Sequence, residues 1–286
     1  MTAVAIQRPP RRRVPAGRIV LHTVLILGGL TMLFPFVWMV LTSFKSDQQM
    51  LLNPQEVLPE PWRAENYSDA LTAAPFARAF WNSFYIAAIT VTGTLITSAM
   101  AAYAFARIRF RGRGLLFGVF LATQMVPAQV TIVPLYLMMS KLGWVDTHLA
   151  LIIPAMVNPF AVFLLRQFIL AVPAELEDAG RIDGAGHWTI FWRIVLPNIR
   201  PGLGALGIIV FLGSWNSFFF PLIFLNTTEL FTVPMLIAQF VGQHDLTSYG
   251  LVMAANVVTV VPMLIAFLIG QRRIINSLAS SGLGGR

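Results

Sequence analysis

The 286-residue sequence contains no cysteine, which excludes a disulfide framework, a thiolate metal site and a cysteine nucleophile together. Charge is scarce as well. Asp, Glu, Lys and Arg make up 11% of the chain and hydrophobic residues 57%, against about 25% and about 45–50% in soluble domains. That balance assigns the chain to a bilayer. The string G-x-x-x-x-G-K-[ST] is missing, so ATP binding in the P-loop manner is excluded. No Asp, Glu, Lys, Arg or His stands in the central part of any long apolar run. This weighs against proton- or sodium-coupled carriage, which usually keeps titrating groups at membrane depth, although carbonyls and hydroxyls can also hold sodium. His22, His148, His187 and His244 are scattered without a carboxylate or second histidine at ligand spacing, so neither a metal nor a cofactor is expected. The string Gly202-Leu-Gly204-Ala-Leu-Gly207 follows Pro201 with no strand before it. It reads as small residues that let helices approach, not as a dinucleotide fingerprint.

What the chain has in abundance is apolar length. At about 20 apolar residues per crossing, six spans are expected: Ile19 to Phe44, Phe80 to Ala106, Leu115 to Ser140, Leu149 to Leu165, Pro201 to Thr228 and Tyr249 to Gly270. The segments that share a side with the amino terminus then hold Arg8, Arg11, Arg12, Arg13, Arg18, Arg107, Arg109, Arg111, Arg113, Arg166, Arg181, Arg193, Arg200, Arg272, Arg273 and Arg286. That is sixteen of the twenty basic residues. The opposite side keeps Lys45, Arg63, Arg78 and Lys141, with eight of the twelve acids. Lys and Arg favour the cytoplasmic side, so both termini are expected inside. The formal charge of +8 is spread over connections rather than one compact face, which points away from nucleic acid. The loop Arg107 to Arg113 reads as a contact for lipid phosphate.

The Arg-rich start followed by Ile19 to Phe44 has the outline of a secretory signal, but its apolar run is too long and no small-residue cleavage site follows, so a retained first helix is expected. Residues 1–18 form a basic cytoplasmic tail and residues 271–286 a second one. The outer segment Lys45 to Ala79, with Pro54, Pro59, Pro61, Pro75, Trp62 and Tyr67, predicts irregular backbone or short interfacial helices. It suits a cap over the bundle or contact with an external partner.

The polar loop over residues 171–200 is the most informative stretch. Pro173 suits the first turn of a helix, and Glu175, Glu177 and Asp178 follow where negative charge meets the positive helix end. This helix is expected to reach Ile182, with Gly184 supplying the turn. A second helix carries Trp188, Ile190, Phe191, Trp192, Ile194 and Val195 and is expected to stop at Leu196 before Pro197. The pairs Trp188/Trp192 and Phe191/Val195 stand four apart, on one face. Such a bent, acidic-then-aromatic knob fits a groove on a protein partner, or else its second half lies on the lipid interface.

The run Leu176-Glu-Asp-Ala-Gly-Arg-Ile-Asp-Gly-Ala185, with Phe191, Ile194 and Leu196-Pro197 after it, resembles the EAA loop of permease subunits of binding-protein-dependent ABC importers. Phe34-Pro-Phe-Val-Trp-Met39, Trp81-Asn-Ser83, Ala102-Tyr-Ala-Phe-Ala-Arg107, Gln124-Met-Val-Pro127 and Gln271-Arg-Arg273 extend the likeness to the MalG-like, carbohydrate-uptake class. The resemblance implies an all-α membrane protein of six transmembrane helices with the type I importer fold, whose loop is a coupling helix. It also implies three kinds of partner: a second, MalF-like permease, two copies of a cytoplasmic ATP-binding subunit, and an extracytoplasmic solute-binding protein. By motif position Glu177, Asp178, Ala179, Gly180, Asp183, Gly184 and Ala185 would meet the ATPase. Where the family reads Glu-Ala-Ala, this chain has Asp178-Ala179-Gly180, a shortened acid and a glycine that costs a helix about 1 kcal/mol relative to alanine.

The permease subunit would itself be non-catalytic. Amides in hydrocarbon need partners, so Asn158 and Asn216 are candidates for the substrate path, with helix-to-helix bonding as their other use. A self-sufficient secondary carrier or channel, and a scaffold that recruits a soluble protein, are the alternative functions.

Overall fold

The computed structural model describes residues 16–243 and 248–283. The tail arginines Arg8, Arg11, Arg12 and Arg13 lie outside the described residues. In chain order the helices are α1 (Ala16–Thr42), α2 (Asp47–Leu52), α3 (Glu65–Ala73), α4 (Phe76–Arg107), α5 (Arg113–Ala122), α6 (Ala128–Lys141), α7 (Leu149–Ala155), α8 (Pro159–Ala171), α9 (Ala174–Ile182), α10 (His187–Ile190), α11 (Leu196–Asn198), α12 (Arg200–Trp215), α13 (Phe219–Phe224), α14 (Val233–Gln243) and α15 (Tyr249–Leu283). No strand occurs among the described residues.

Four helical segments are long and apolar enough to cross a membrane alone: Val20–Thr42, Phe76–Arg107, Leu149–Ala171 and Tyr249–Gln271. Counting each of two bent pairs as one span brings the number to six. The expected third span, Leu115 to Ser140, is not one rod. Arg113–Met125 and Ala128–Lys141 meet at 100°, because Pro127 has no N–H to donate and holds Val126 in an extended conformation (ψ 117°). The fifth span also departs from Pro201 to Thr228: α12 ends at Trp215, and α13 resumes over Phe219–Phe224. The sixth helix runs past Gly270 to Leu283, so the predicted tail begins as its continuation.

The fourth span is interrupted between α7 and α8, where Pro154 and Pro159 remove donors. Carbonyls freed inside a membrane must find other partners, and α4 supplies them. Thr94 Oγ1 donates to Ala155 O at 3.2 Å and Thr97 Oγ1 to Met156 O at 2.7 Å. Asn158 Oδ1 accepts from Ala161 N at 3.0 Å and caps α8. The small Ala99, Ala102 and Ala106 of α4 let it approach α8 closely, and the buried core there holds Val162, Leu165 and Ile169. Gly202 serves the expected close approach: a Cβ there would lie 2.6 Å from the Phe168 ring of α8.

Around Lys45, Asn82 and Asp146, loops are stitched together by polar bonds. Lys45, 1% exposed, donates from Nζ to Glu56 O (2.5 Å) and Pro54 O (3.3 Å) and stands 4.7 Å from the Trp38 ring centre. The segment from Lys45 to Ala79 therefore holds two short helices, α2 and α3, tied to the ends of α1 and α15. Asn82 Nδ2 donates to Glu229 O (2.9 Å) and Phe231 O (3.0 Å), and His148 bridges Tyr85 and Leu230 O. Asp146, at φ 59°, accepts from the Asn226 and Thr227 amides at 2.8 and 3.0 Å and from Thr227 Oγ1 at 2.5 Å. The Thr227 side-chain bond first, then the backbone bonds, hold its carboxyl below the usual carboxylate range. A depressed acid stabilises the fold fully above its unfolded pKa of about 3.9, and loses that contribution as pH falls through the lower folded value. Acidification into that window is therefore expected to speed hydrogen exchange at the Asn226 and Thr227 amides. Exchange there that does not respond to pH, after correction for intrinsic rates, contradicts the assignment.

Candidate coupling site and substrate path

The loop between α8 and α12 forms its first helix as expected, over Ala174–Ile182. Gly184 takes φ +81°, a conformation that costs other L-residues about 1–2 kcal/mol. Ala185 N donates to Gly180 O at 2.9 Å and Gly184 N to Arg181 O at 3.0 Å. These two bonds make a Schellman termination of α9, so the bend is set by backbone pairing and by glycine.

The second half differs from the expectation at Pro197. The helix runs on to Asn198, through a π-helical turn at Phe191–Val195 in which Leu196 N donates to Phe191 O. The wider turn lets the chain absorb Pro197 without ending, and Asn198 Nδ2 donates to Ile194 O at 2.7 Å. The sharp bend, 76°, comes after Asn198 instead. Ile190, Phe191, Val195 and Ile199 are buried in one core with Ala102, Tyr103, Leu165 and Ile169, each large apolar side chain contributing about 1.5–3 kcal/mol. The loop's aromatic half is thus packed on α4 and α8, not laid free on lipid. Trp188 and Trp192 stack edge to face at 5.7 Å on the other side, 62% and 47% exposed.

The sequence-predicted residues separate into two groups. Glu177 is 2% exposed and points inward: its Oε1 lies 2.6 Å from Arg107 Nε, and its Oε2 3.8 Å from Arg181. Arg107, the last residue of α4, also donates to Ile169 O (2.9 Å) and Val172 O (2.5 Å) at the end of α8. One guanidinium therefore ties α4, α8 and α9 together. Asp178, Ala179, Asp183 and Gly184 are exposed, and Gly180 and Ala185 are half-buried. Asp178 pairs with Arg181 at 2.7 Å. A Cβ at Gly180 would meet Ile194 Cδ1 at 2.7 Å, so this glycine lets α9 lie close to the π turn. Sequence reasoning took Arg107 as a topology arginine and a contact for lipid phosphate, not as an anchor of the loop. Its place directly after a long apolar helix was the one available sign of a capping role.

A cavity of about 620 Å³ opens among α4, α7, α8, α12 and α13, and Asn158 lines it. Asn216 does not. Its Nδ2 lies 3.1 Å from Met263 Sδ of α15, so the amide joins two helices.

Over residues 93–279 the sequence matches the family of the binding-protein-dependent transport system inner membrane component. The chain belongs to this family. The permease is 36% identical over 262 residues to the diacetylchitobiose uptake system permease protein NgcG of Streptomyces coelicolor, covering 90% of this chain and 86% of the relative. It is also 36% identical over 255 residues to the arabinooligosaccharides transport system permease protein AraQ of Halalkalibacterium halodurans, covering 88% and 91%. A crystal structure of a bacterial ABC transporter that imports the acidic polysaccharide alginate superposes with TM-score 0.81 at 22% identity, over 92% of the permease and 99% of that chain. This likeness gives the permease the type I importer fold. The permease is a multi-pass component of the inner membrane and a transport subunit of an ABC importer.

Proposed function

We propose that this permease is one of two unlike membrane subunits of a carbohydrate importer, driven through the α9–α10 knob by a pair of separate cytoplasmic ATP-binding subunits. A solute-binding protein on the outer side delivers the sugar. The sugars for which the relatives are named, diacetylchitobiose and arabinooligosaccharides, support the carbohydrate class, and the arginine distribution supports the placement of the loop and both termini in the cytoplasm.

The observation that carries the ATPase contact is the tip of the knob. Ile182 is 87% exposed between Asp178 and Asp183, on a loop too acidic to enter lipid and anchored from behind by Arg107. An apolar residue presented by a rigid arm fits a protein cleft. Asp178, Ala179, Asp183 and Gly184 form the contact face, with Gly180 and Ala185 shaping it, while Glu177 acts from inside as a positioning residue. Because Phe191 and Val195 are packed on α4 and α8, and both helices line the cavity, movement of the knob reaches the substrate path directly. Closure of the ATPases then shifts the helices between inward- and outward-open arrangements, provided the knob is bound better in one nucleotide state.

Replacing Asp183 and Gly184 with bulky residues is expected to abolish ATP-driven sugar uptake while the protein still inserts normally. Full uptake by such a variant would refute the contact. A self-sufficient carrier is told apart by uptake that survives ATP depletion and collapses with a protonophore.

A further inference from the structure

A pocket of about 700 Å³ opens where the end of α4, the start of α5 and the adjoining faces of α9 and α10 meet. Arg107, Arg109, Arg113, Arg181 and His187 line it, with Glu177 and Asp178 as its acids. Both acids are already engaged. Glu177 holds Arg107 at 2.6 Å and Arg181 at 3.8 Å, and Asp178 holds Arg181 at 2.7 Å. Arg109 and Arg113 are left without a carboxylate. Arg113 Nη1 donates to Ile108 O at 3.2 Å, and the exposed Arg109 guanidinium meets no acceptor among the described residues. With His187 neutral, four arginines against two carboxylates give the lining a formal surplus of two positive charges.

The depth and surroundings of the pocket say what would neutralise that surplus. Arg107 closes a helix long and apolar enough to cross a membrane, and Arg113 opens one of the bent pairs, so the pocket stands where the hydrocarbon of a bilayer gives way to its headgroups. Beside the two bare arginines, Phe110 is 39%, Leu115 75% and Leu116 54% exposed. Guanidinium forks match the oxygens of a phosphate two at a time. We propose that this pocket is a phosphate site filled by the headgroup of an anionic glycerophospholipid, with Arg109 and Arg113 on the phosphate and Leu115 and Leu116 against the acyl chains. The phosphate class follows from the surplus charge. The lipid source follows from the exposed leucines, which a free phosphate ion would leave uncovered. Arg107 is not part of this contact, because Glu177, Ile169 O and Val172 O hold its guanidinium. Asp178 and Arg181 of α9 share the pocket, so a lipid seated there steadies α9 against the α4–α5 turn. The site is independent of what drives transport.

The test uses the intact importer in a neutral detergent, titrated with dioctanoyl phosphatidylglycerol or dioctanoyl phosphatidylcholine, with bound lipid counted by native mass spectrometry. Phosphatidylglycerol is expected to bind about tenfold or more tightly than phosphatidylcholine, and Arg109→Gln with Arg113→Gln should remove that preference. Arg111→Gln with Arg193→Gln deletes the same charge from exposed arginines outside the pocket and should leave the preference intact. Arg109→Gln alone breaks no bond within the chain, so its expected several-fold loss cannot be ascribed to misfolding. Phosphatidylglycerol should also slow hydrogen exchange over Ala174–Ile182 in the unmodified protein and not in the Arg109/Arg113 variant. Equal binding of the two lipids, or equal losses from the two double variants, reduces the effect to general surface charge and overturns the pocket. Displacement of phosphatidylglycerol by sodium phosphate, but not by sodium chloride of equal ionic strength, keeps the phosphate chemistry and overturns the lipid as its source. If neither lipid binds and the Arg109/Arg113 variant instead sheds its ATP-binding subunits, the pocket receives an acidic protein segment and the proposal fails.

Discussion

Glu177→Ala is expected to release α9 from the bundle and to stop transport without preventing membrane insertion. The carboxylate is buried against Arg107 at 2.6 Å, with the arginine side chain 15% exposed. Removing one partner of a buried pair strands the other charge and costs about 3–5 kcal/mol. The stranded guanidinium keeps its bonds to Ile169 O and Val172 O, so α4 and α8 should stay joined while α9 loosens. Hydrogen exchange over Ala174–Ile182 should therefore accelerate on the order of a hundredfold or more, with Ile169 and its neighbours little changed. Glu177→Gln retains the shape without the charge and should fall between. Unaltered exchange in α9 of Glu177→Ala would remove Glu177 from its positioning role.

Gly250→Ala should be strongly destabilising for a single added methyl, because among the described glycines it is the one whose nearest clash is with backbone. Gly250 sits in the first turn of α15, where an added Cβ would land on the Lys45 carbonyl oxygen and 2.9 Å from Asn66 Nδ2. That same nitrogen donates to Ser43 O and Lys45 O, both at 2.9 Å, so backbone from the end of α1, the side chain of α3 and the start of α15 meet here. Backbone cannot turn aside as a side-chain tip can. The expected cost is about 1–3 kcal/mol or more, read as a lower thermal midpoint in detergent and reduced accumulation in the membrane. Gly180→Ala is the control. Its new methyl comes too close only to Ile194 Cδ1, at 2.7 Å, the far end of a side chain, with Ile190 Cγ1 and Ala185 Cβ at the ordinary contact distances of 3.7 and 3.9 Å, and alanine favours helix by about 1 kcal/mol. This change should be nearly neutral. Equal losses from the two substitutions would show that contact with backbone is not the deciding factor.

Much of the coupling loop was legible in the sequence because its signals are local. Pro173, the acids after it and Gly184 specify a helix and its termination through bonds spanning only a few residues. The inward turn of Glu177 was not legible, since nothing in Glu175-Leu-Glu177-Asp178 distinguishes one acid from another until Arg107 is brought beside it. Pro197 misled for a related reason: a proline ends an α-helix, but a π turn stabilised by packing on α4 and α8 carries the chain past it. The same limit applies to Thr90, Thr92, Thr94 and Thr97. All four look alike along α4; the α7–α8 break, whose carbonyls occupy Thr94 and Thr97, and the Ala88 carbonyl within α4, which Thr92 takes, leave Thr90 apart.

The sequence by itself determined that this chain lives in a membrane, with four to six apolar segments long enough to cross it, arginine-rich connections between them and one acidic, bent knob. Those properties follow from sums over short windows, which transfer free energy and local dihedral preference are enough to fix. Only the tertiary structure decided which span is bent at Pro127, which asparagine faces the cavity, which acid is an anchor and which hydroxyls are left unpaired. These depend on groups far apart in the chain meeting where water is excluded, and there a polar atom's energy is set by its neighbour, not by its own identity.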